Sequence, residues 1–275
     1  MTYRSGWYEL PIEVDANKDG RDDNNSDYYY AHHLCAGGEK NAQRNGSARN
    51  FTVCFSANHH CPVWVAAPRH SSYESGASRT DAYAQDPQIP SDIQYKSKST
   101  GGGCNKGHML GSAERLSSTA TNKQVFYYSN IAPQHSTYFN TGGGAWNTLE
   151  EWVDKQWVGA ADTTYQVIGC YWDPAESPKQ VSGTTIPTHY YKVLLRTKNH
   201  KNKWVVECSK DELQCIAVMV EHRTYEKSEV PKPADYEKKG MFLSVKEMEE
   251  LTGLTFFGNV PNAPKESYNV SDWTF

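Results

Sequence analysis

Three segments between Cys104 and Trp157 decide the architecture: CNKGHMLG (104–111), SNIAPQ (129–134) and FNTGGGAWNTLEEWVDKQW (139–157). The last reads as the clearest helix of the chain. Trp146, Leu149, Val153 and Trp157 recur at three- and four-residue intervals, Trp152 widens the stripe, and Glu150, Glu151 and Lys155 fall elsewhere on the wheel. The helix should begin near Asn140 and the glycines after it. Short apolar strands are expected around His108-Met109-Leu110 and Val125–Tyr128. A strand ending in a histidine, a second strand, and a helix opened by an amide and carrying a carboxylate would converge on one point.

Working outward, NFTVCFS (50–56) and PVWVAAP (62–68) form an expected hairpin, followed by an irregular stretch from Ser71 to Gly103. Further strands are expected at 164–172, 188–197, 203–209 and 215–221, and Ser244 with Glu247 makes a capping box for a short helix closed by Gly253. Strands outnumber helices without βαβ alternation, which argues an α+β fold with a largely antiparallel central sheet. Residues 1–49 are expected to pack as an acidic extension on a domain spanning 50–275.

The 275 residues, 37% hydrophobic and 22% charged, supply enough apolar material for a core. No run of uncharged apolar residues is long enough to span a membrane, and the amino end lacks the apolar stretch of a signal peptide. The net charge of −4 has the wrong sign for a polyanion-binding protein, but its distribution is uneven. Residues 1–27 carry seven acidic and three basic side chains, whereas 95–124 carry five basic (Lys96, Lys98, Lys106, Arg115, Lys123) against Glu114 alone. In the acidic segment, Asp15, Asn17 and Asp19 alternate like the start of a Ca²⁺ loop, yet Ser26 stands where a closing carboxylate is wanted, so a solvated acidic turn is the competing reading. Of the seven cysteines, Cys54/Cys61 and Cys208/Cys215 are close enough in sequence for disulfides, with buried free thiols as the alternative. His59, His60 and His135 are assigned to loops.

The reactive groups of the central window suit phosphodiester hydrolysis. Such a reaction needs a base that is neutral near pH 7 and a cation that neutralises developing oxygen charge. His108 is the natural base, Asn140 and Glu150 offer hard oxygens to Mg²⁺, and Lys106, two residues before His108, shares its strand face and can hold a phosphate oxygen.

With these residues in place, the window resembles the DNA/RNA non-specific endonuclease family, the ββα-metal nucleases of the His-me finger type. Asn105-Lys106-Gly107-His108 stands where that family has Asp-Arg-Gly-His. Ser129-Asn130-Ile131-Ala132-Pro133-Gln134 matches its Ser-Asn-x-x-Pro-Gln, and Asn140, Trp146 and Leu149-Glu150 match its third motif. The resemblance extends through PVWVA (62–66), Asp86-Pro87, IPTHYYKVLL (186–195) and TGLTFF (252–257), about residues 50–258. It implies an endonuclease acting on DNA and RNA and leaving 5′-phosphates, with His108 as general base. Asn140 would be the side chain on a single Mg²⁺, or another divalent ion such as Mn²⁺, with Glu150 orienting water beside it. Asn130 would brace the site, and Lys106 and Arg79 would contact phosphate. Contacts to phosphate and sugar make cleavage salt-dependent and sequence-tolerant. Two departures stand out: Asn105-Lys106 replaces Asp-Arg, losing a bidentate fork, and the Asn140–Trp146 spacing is longer than the family's by a residue that the glycines must absorb.

The competing expectation is a catalytically inactive nuclease-like module that binds nucleic acid or serves a structural role. The candidate disulfides and the hazard of a free nuclease favour an extracytoplasmic site with the export signal removed.

Overall fold

The computed structural model describes residues 6–35, 49–74, 76–94, 101–156, 162–198 and 203–274. Its frame is a seven-stranded antiparallel sheet. The strands are β1 (Tyr28–Leu34), β2 (Arg49–Ser56), β3 (Cys61–Arg69), β6 (Thr164–Tyr171), β9 (His189–Thr197), β10 (Leu213–Glu221) and β11 (Phe242–Leu243), adjacent in that order. A separate two-stranded ribbon pairs β4 (Cys104–His108) with β5 (Ile131–His135), and β7 (Gln180–Val181) pairs with β8 (Thr184–Thr185). The helices are α1 (Thr119–Gln124), α2 (Ala145–Gln156) and α3 (Val245–Thr252). The α+β expectation with a largely antiparallel sheet is met.

Both faces of the sheet are covered, so its strands read as continuous apolar runs rather than as alternating ones. One face, including Phe51, Val53, Val65, Ile168, Leu194 and Ile216, packs under Leu149, Trp152 and Val153 of α2. The other, including Trp64, Val167, Val193, Leu195 and Ala217, packs against Met248 of α3, Phe256, Phe257 and Leu10. Helix α3 carries the expected capping box, with Ser244 Oγ accepting from the Glu247 N–H and Gly253 ending it at φ 73°.

Several local expectations are corrected. Val125–Tyr128 is not a strand: it follows α1, which opens at Ser118, and the strand proper begins at Ile131. Met109 and Leu110 lie beyond the end of β4, and Val205–Glu207 is a 3₁₀ turn where a strand was expected. The 1–49 extension contributes β1, hydrogen-bonded along β2 as the edge strand of the main sheet. Cysteines 35, 54, 61, 104, 170, 208 and 215 are all buried thiols, with no disulfide between them. Cys54 and Cys61 cannot pair because Cys54 belongs to the α3 face of the sheet and Cys61 to the α2 face.

Candidate active site

The ribbon and α2 form the ββα unit that the three motifs require. Its register places Asn105 opposite Gln134, Lys106 opposite Pro133 and His108 opposite Ile131. Gly107 is required here, since a Cβ at that position would lie 2.1 Å from the Gln134 side-chain carbon. Gly144 is likewise closed to a side chain: a Cβ would sit 2.5 Å from the Phe139 carbonyl oxygen, where the loop folds tightly into α2. The helix starts at Ala145, so the additional residue lies in the loop 140–144 and leaves the helical phase of Glu150 unchanged. Asn140 is therefore not the helix N-cap. Its side chain turns back onto the ribbon, where Asn140 Nδ2 donates to Gln134 Oε1 and Asn140 Oδ1 accepts from Asn105 Nδ2 at 3.1 Å.

His108 closes β4 against Phe126, edge to face at 4.8 Å between centroids, with Tyr83 at 6.0 Å. Its Nε2 is shielded from solvent and has no hydrogen-bond partner among the described residues. Burial chiefly, and the cations Arg79 and Lys106 secondarily, push its pKa down to about 3 against an opposing pull from Asp81. The ring is thus neutral at neutral pH. Lys106 Nζ lies 3.7 Å from the centroid of Tyr83, and the Arg79 guanidinium lies 4.9 Å from that of Phe126 while paired with Asp81 at 2.8 Å. Arg79 is 51% exposed, so the structure brings a solvent-facing cation and a ribbon lysine to the same histidine.

Asn130 acts from behind. It is fully buried, its Oδ1 accepts from the Leu110 N–H at 2.9 Å, and its Nδ2 donates to the carbonyls of Leu110 and Val125. It holds the exit of β4 in place rather than meeting substrate. Glu150 faces inward beside Trp146, where burial raises its carboxyl to about 7 with help from Glu114 and Asp154, opposed by Lys192. Lys192, on β9, is itself 1% exposed and lies 5.5 Å from the Trp146 ring.

Four contributors were not singled out from the sequence. Gln134 ends the second motif and links Asn140 to the ribbon. Tyr83 and Phe126 wall the histidine. Asp86 ties the motifs together: it accepts from Ser129 Oγ at 2.5 Å and pairs with His33 at 2.7 Å, which overcomes the upward push of burial and holds its carboxyl below the usual range. Pattern gave a signal only for Gln134 and Asp86, which lie inside or beside recognisable motifs. Conversely, Arg115 is fully buried on the carbonyls of Asn50 and Pro68, so it adds nothing to the basic surface, and Lys96 and Lys98 lie outside the described residues.

The other candidates separate from the site. His60 bonds the Ile93 carbonyl and His59 stacks on Trp172 at 4.0 Å. His135 ends β5 rather than occupying a loop. The carboxylates of Asp15 and Asp19 and the Asn17 amide accept from the backbone N–H groups of Asp19, Gly20 and Arg21, a self-capped turn. Among the described residues no group of three or more His, Cys, Asp or Glu is arranged to hold a metal. A cation at the ribbon would therefore be met by amide oxygen and water, a donor set that suits a hard ion such as Mg²⁺.

The sequence matches the DNA/RNA non-specific endonuclease family over residues 36–263. The chain belongs to that family. A nuclease of Nostoc sp. is 27% identical over 207 residues, 72% of this chain and 68% of the relative. Mitochondrial endonuclease G of Bos taurus is 22% identical over 231 residues, 78% and 69% respectively. Among solved structures, endonuclease G in complex with its inhibitor EndoGI superposes with a TM-score of 0.59 at 20% identity, covering 75% of this chain and 82% of that one. The likeness is of fold, and it agrees with the ββα unit built above. No helix among the described residues is long and apolar enough to cross a membrane.

Proposed function

We propose that this nuclease is a divalent-cation-dependent, sugar-non-specific endonuclease that hydrolyses DNA and RNA to oligonucleotides with 5′-phosphates, with His108 as general base. The observation that supports the reading is a neutral His108, its Nε2 without a partner among the described residues, at the end of the ribbon that the Asn140 side chain joins through Gln134. Asn140 Oδ1, with Glu150 behind it, would hold Mg²⁺ or Mn²⁺, and the ion would neutralise charge developing on the phosphate oxygens. His108 would accept the proton of the attacking water. Gln134 and Asn130 keep the strand that carries His108 at a fixed height. Lys106 and Arg79 bind phosphate without reading bases, which supports indifference to sequence and to the sugar. Extracytoplasmic residence is proposed from the hazard of an unconfined non-specific nuclease alone, since the cysteines form no disulfides that would support it.

The test is digestion of supercoiled plasmid and of total RNA by wild type and His108→Ala, each with Mg²⁺ and with EDTA, after thermal melting shows both proteins folded. Degradation of both polymers by wild type with Mg²⁺, lost with EDTA or on substitution, is the expected result. Intact polymers across several divalent ions would sink the reading and leave the nuclease-like binding module.

A further inference from the structure

The amides beside His108 form a chain with a single direction. Gln134 Nε2 donates to the backbone carbonyl of His108 at 3.4 Å, Asn140 Nδ2 donates to Gln134 Oε1, and Asn105 Nδ2 donates to Asn140 Oδ1 at 3.1 Å. The last acceptor settles every orientation, because a backbone carbonyl can only accept. Gln134 must present its NH₂ to that carbonyl and its oxygen to Asn140. Asn140 must then present its own NH₂ to Gln134 and its oxygen to residue 105. Position 105 accordingly needs a donor. An ionised carboxylate there would face the Asn140 oxygen with two acceptors and nothing between them.

We propose that Asn105 sets the divalent-cation affinity of this site, by completing a one-way amide relay that holds the Asn140 oxygen in place without a cation and without adding negative charge. The inference rests on the reading of Asn140 as the cation's protein ligand. Asparagine at 105 leaves the relay electrically neutral and satisfied in the absence of metal. One lone pair of Asn140 Oδ1 is engaged by Asn105 and one remains for a cation, while Lys106 adds a positive charge on the adjacent residue. The protein should thus be stable without metal and bind a free ion weakly, the anionic phosphate of the substrate supplying the missing attraction. A carboxylate at 105 reverses both properties. It breaks the relay in the metal-free protein and, facing the Asn140 oxygen, makes a two-oxygen seat that only a cation can relieve.

The experiment compares wild type, Asn105→Asp and Asn140→Ala by titration with Mn²⁺, read by loss of the free-ion EPR signal, and by thermal melting with and without Mn²⁺. The expected result is that Asn105→Asp binds Mn²⁺ at least about tenfold more tightly than wild type, melts lower without metal, and gains more in Tm when Mn²⁺ is added. If the metal-free variant is unfolded, Mn²⁺ should restore its far-UV circular dichroism, and failure to do so overturns the proposal. Equal or weaker Mn²⁺ binding by Asn105→Asp, with binding lost in Asn140→Ala, overturns the role of Asn105 and leaves the cation site standing. Identical binding by wild type and Asn140→Ala removes the cation site and the proposal with it.

Discussion

His108 and His222 carry the same depressed basicity, each pushed down to about 3 chiefly by burial, yet they occupy opposite chemical situations. His222 uses both ring nitrogens. Its Nδ1 donates to the Pro187 carbonyl at 2.7 Å and its Nε2 accepts from the His135 N–H at 2.9 Å, so it pins the far end of the ribbon. His108, at the other end, leaves Nε2 without a partner among the described residues. A lowered pKa therefore does not by itself set one histidine apart from the other. What distinguishes His108, and supports its proposed role as base, is a buried nitrogen left without a partner among the described residues.

The comparison breaks most visibly through cleavage. His108→Ala should reduce plasmid digestion by about 10²–10⁴-fold, the usual share of general-base catalysis, while His222→Ala should keep activity within a few-fold. The His222 variant should instead lose stability, because the His135 N–H and Pro187 carbonyl are each left unpaired at a cost of about 1–3 kcal/mol. Loss of cleavage by a fully folded His222→Ala would end the distinction. Next in size are the cations. Lys106→Ala and Arg79→Ala should each weaken polynucleotide binding and reduce the salt slope of log K by about 1, measured by fluorescence anisotropy across a salt series. An unchanged slope would remove that residue from the phosphate contacts.

Stability against pH sharpens the comparison from the other side. For each histidine the folded pKa of about 3 lies below the unfolded value near 6.5, so the folded protein binds fewer protons between them. This contribution is present above pH 6.5 and is lost as pH falls toward 3. Melting between pH 7 and 4 should show a shallower slope for His108→Ala, and by a similar amount for His222→Ala. Glu150 has the opposite sign: its folded pKa of about 7 exceeds its unfolded value, so its contribution is present below about 4.5 and lost as pH rises through 7. Glu150→Gln should remove a fall in Tm between about pH 4.5 and 7, and a slope equal to wild type over that range would show the carboxyl to be solvated. Smallest of all, dithiothreitol should leave Tm unchanged, since Cys54 and Cys61 lie on opposite faces of the sheet.

Much of this was legible in the residues. The spacing of Trp146, Leu149 and Val153 announced α2, and the order histidine, Asn130, Asn140 and Glu150 announced the unit around it. Strands β2, β3, β6, β9 and β10 were visible as apolar runs because a sheet covered on both faces has no polar side to interrupt them. The failures have physical causes too. Val125–Tyr128 is apolar because it is buried beneath the site, not because it is extended, and burial alone does not choose between a turn and a strand. Strand β1 was hidden in a segment read by its acidic charge, since its partner β2 begins fifteen residues after it ends. The relay from Asn105 to His108 depends on which atom of each amide faces which neighbour, and no spacing in a sequence encodes that.

Strand β1 has one further consequence. Its residues Tyr28 to Leu34 run along β2 at the rim of the sheet, ahead of the first residue matched to the family. A protein trimmed to that match would carry every residue of the proposed reactive centre and yet leave β2 with a row of unanswered backbone donors and acceptors. Such a border recruits other chains, so the trimmed protein should self-associate or fall out of solution while the chemistry it contains is intact.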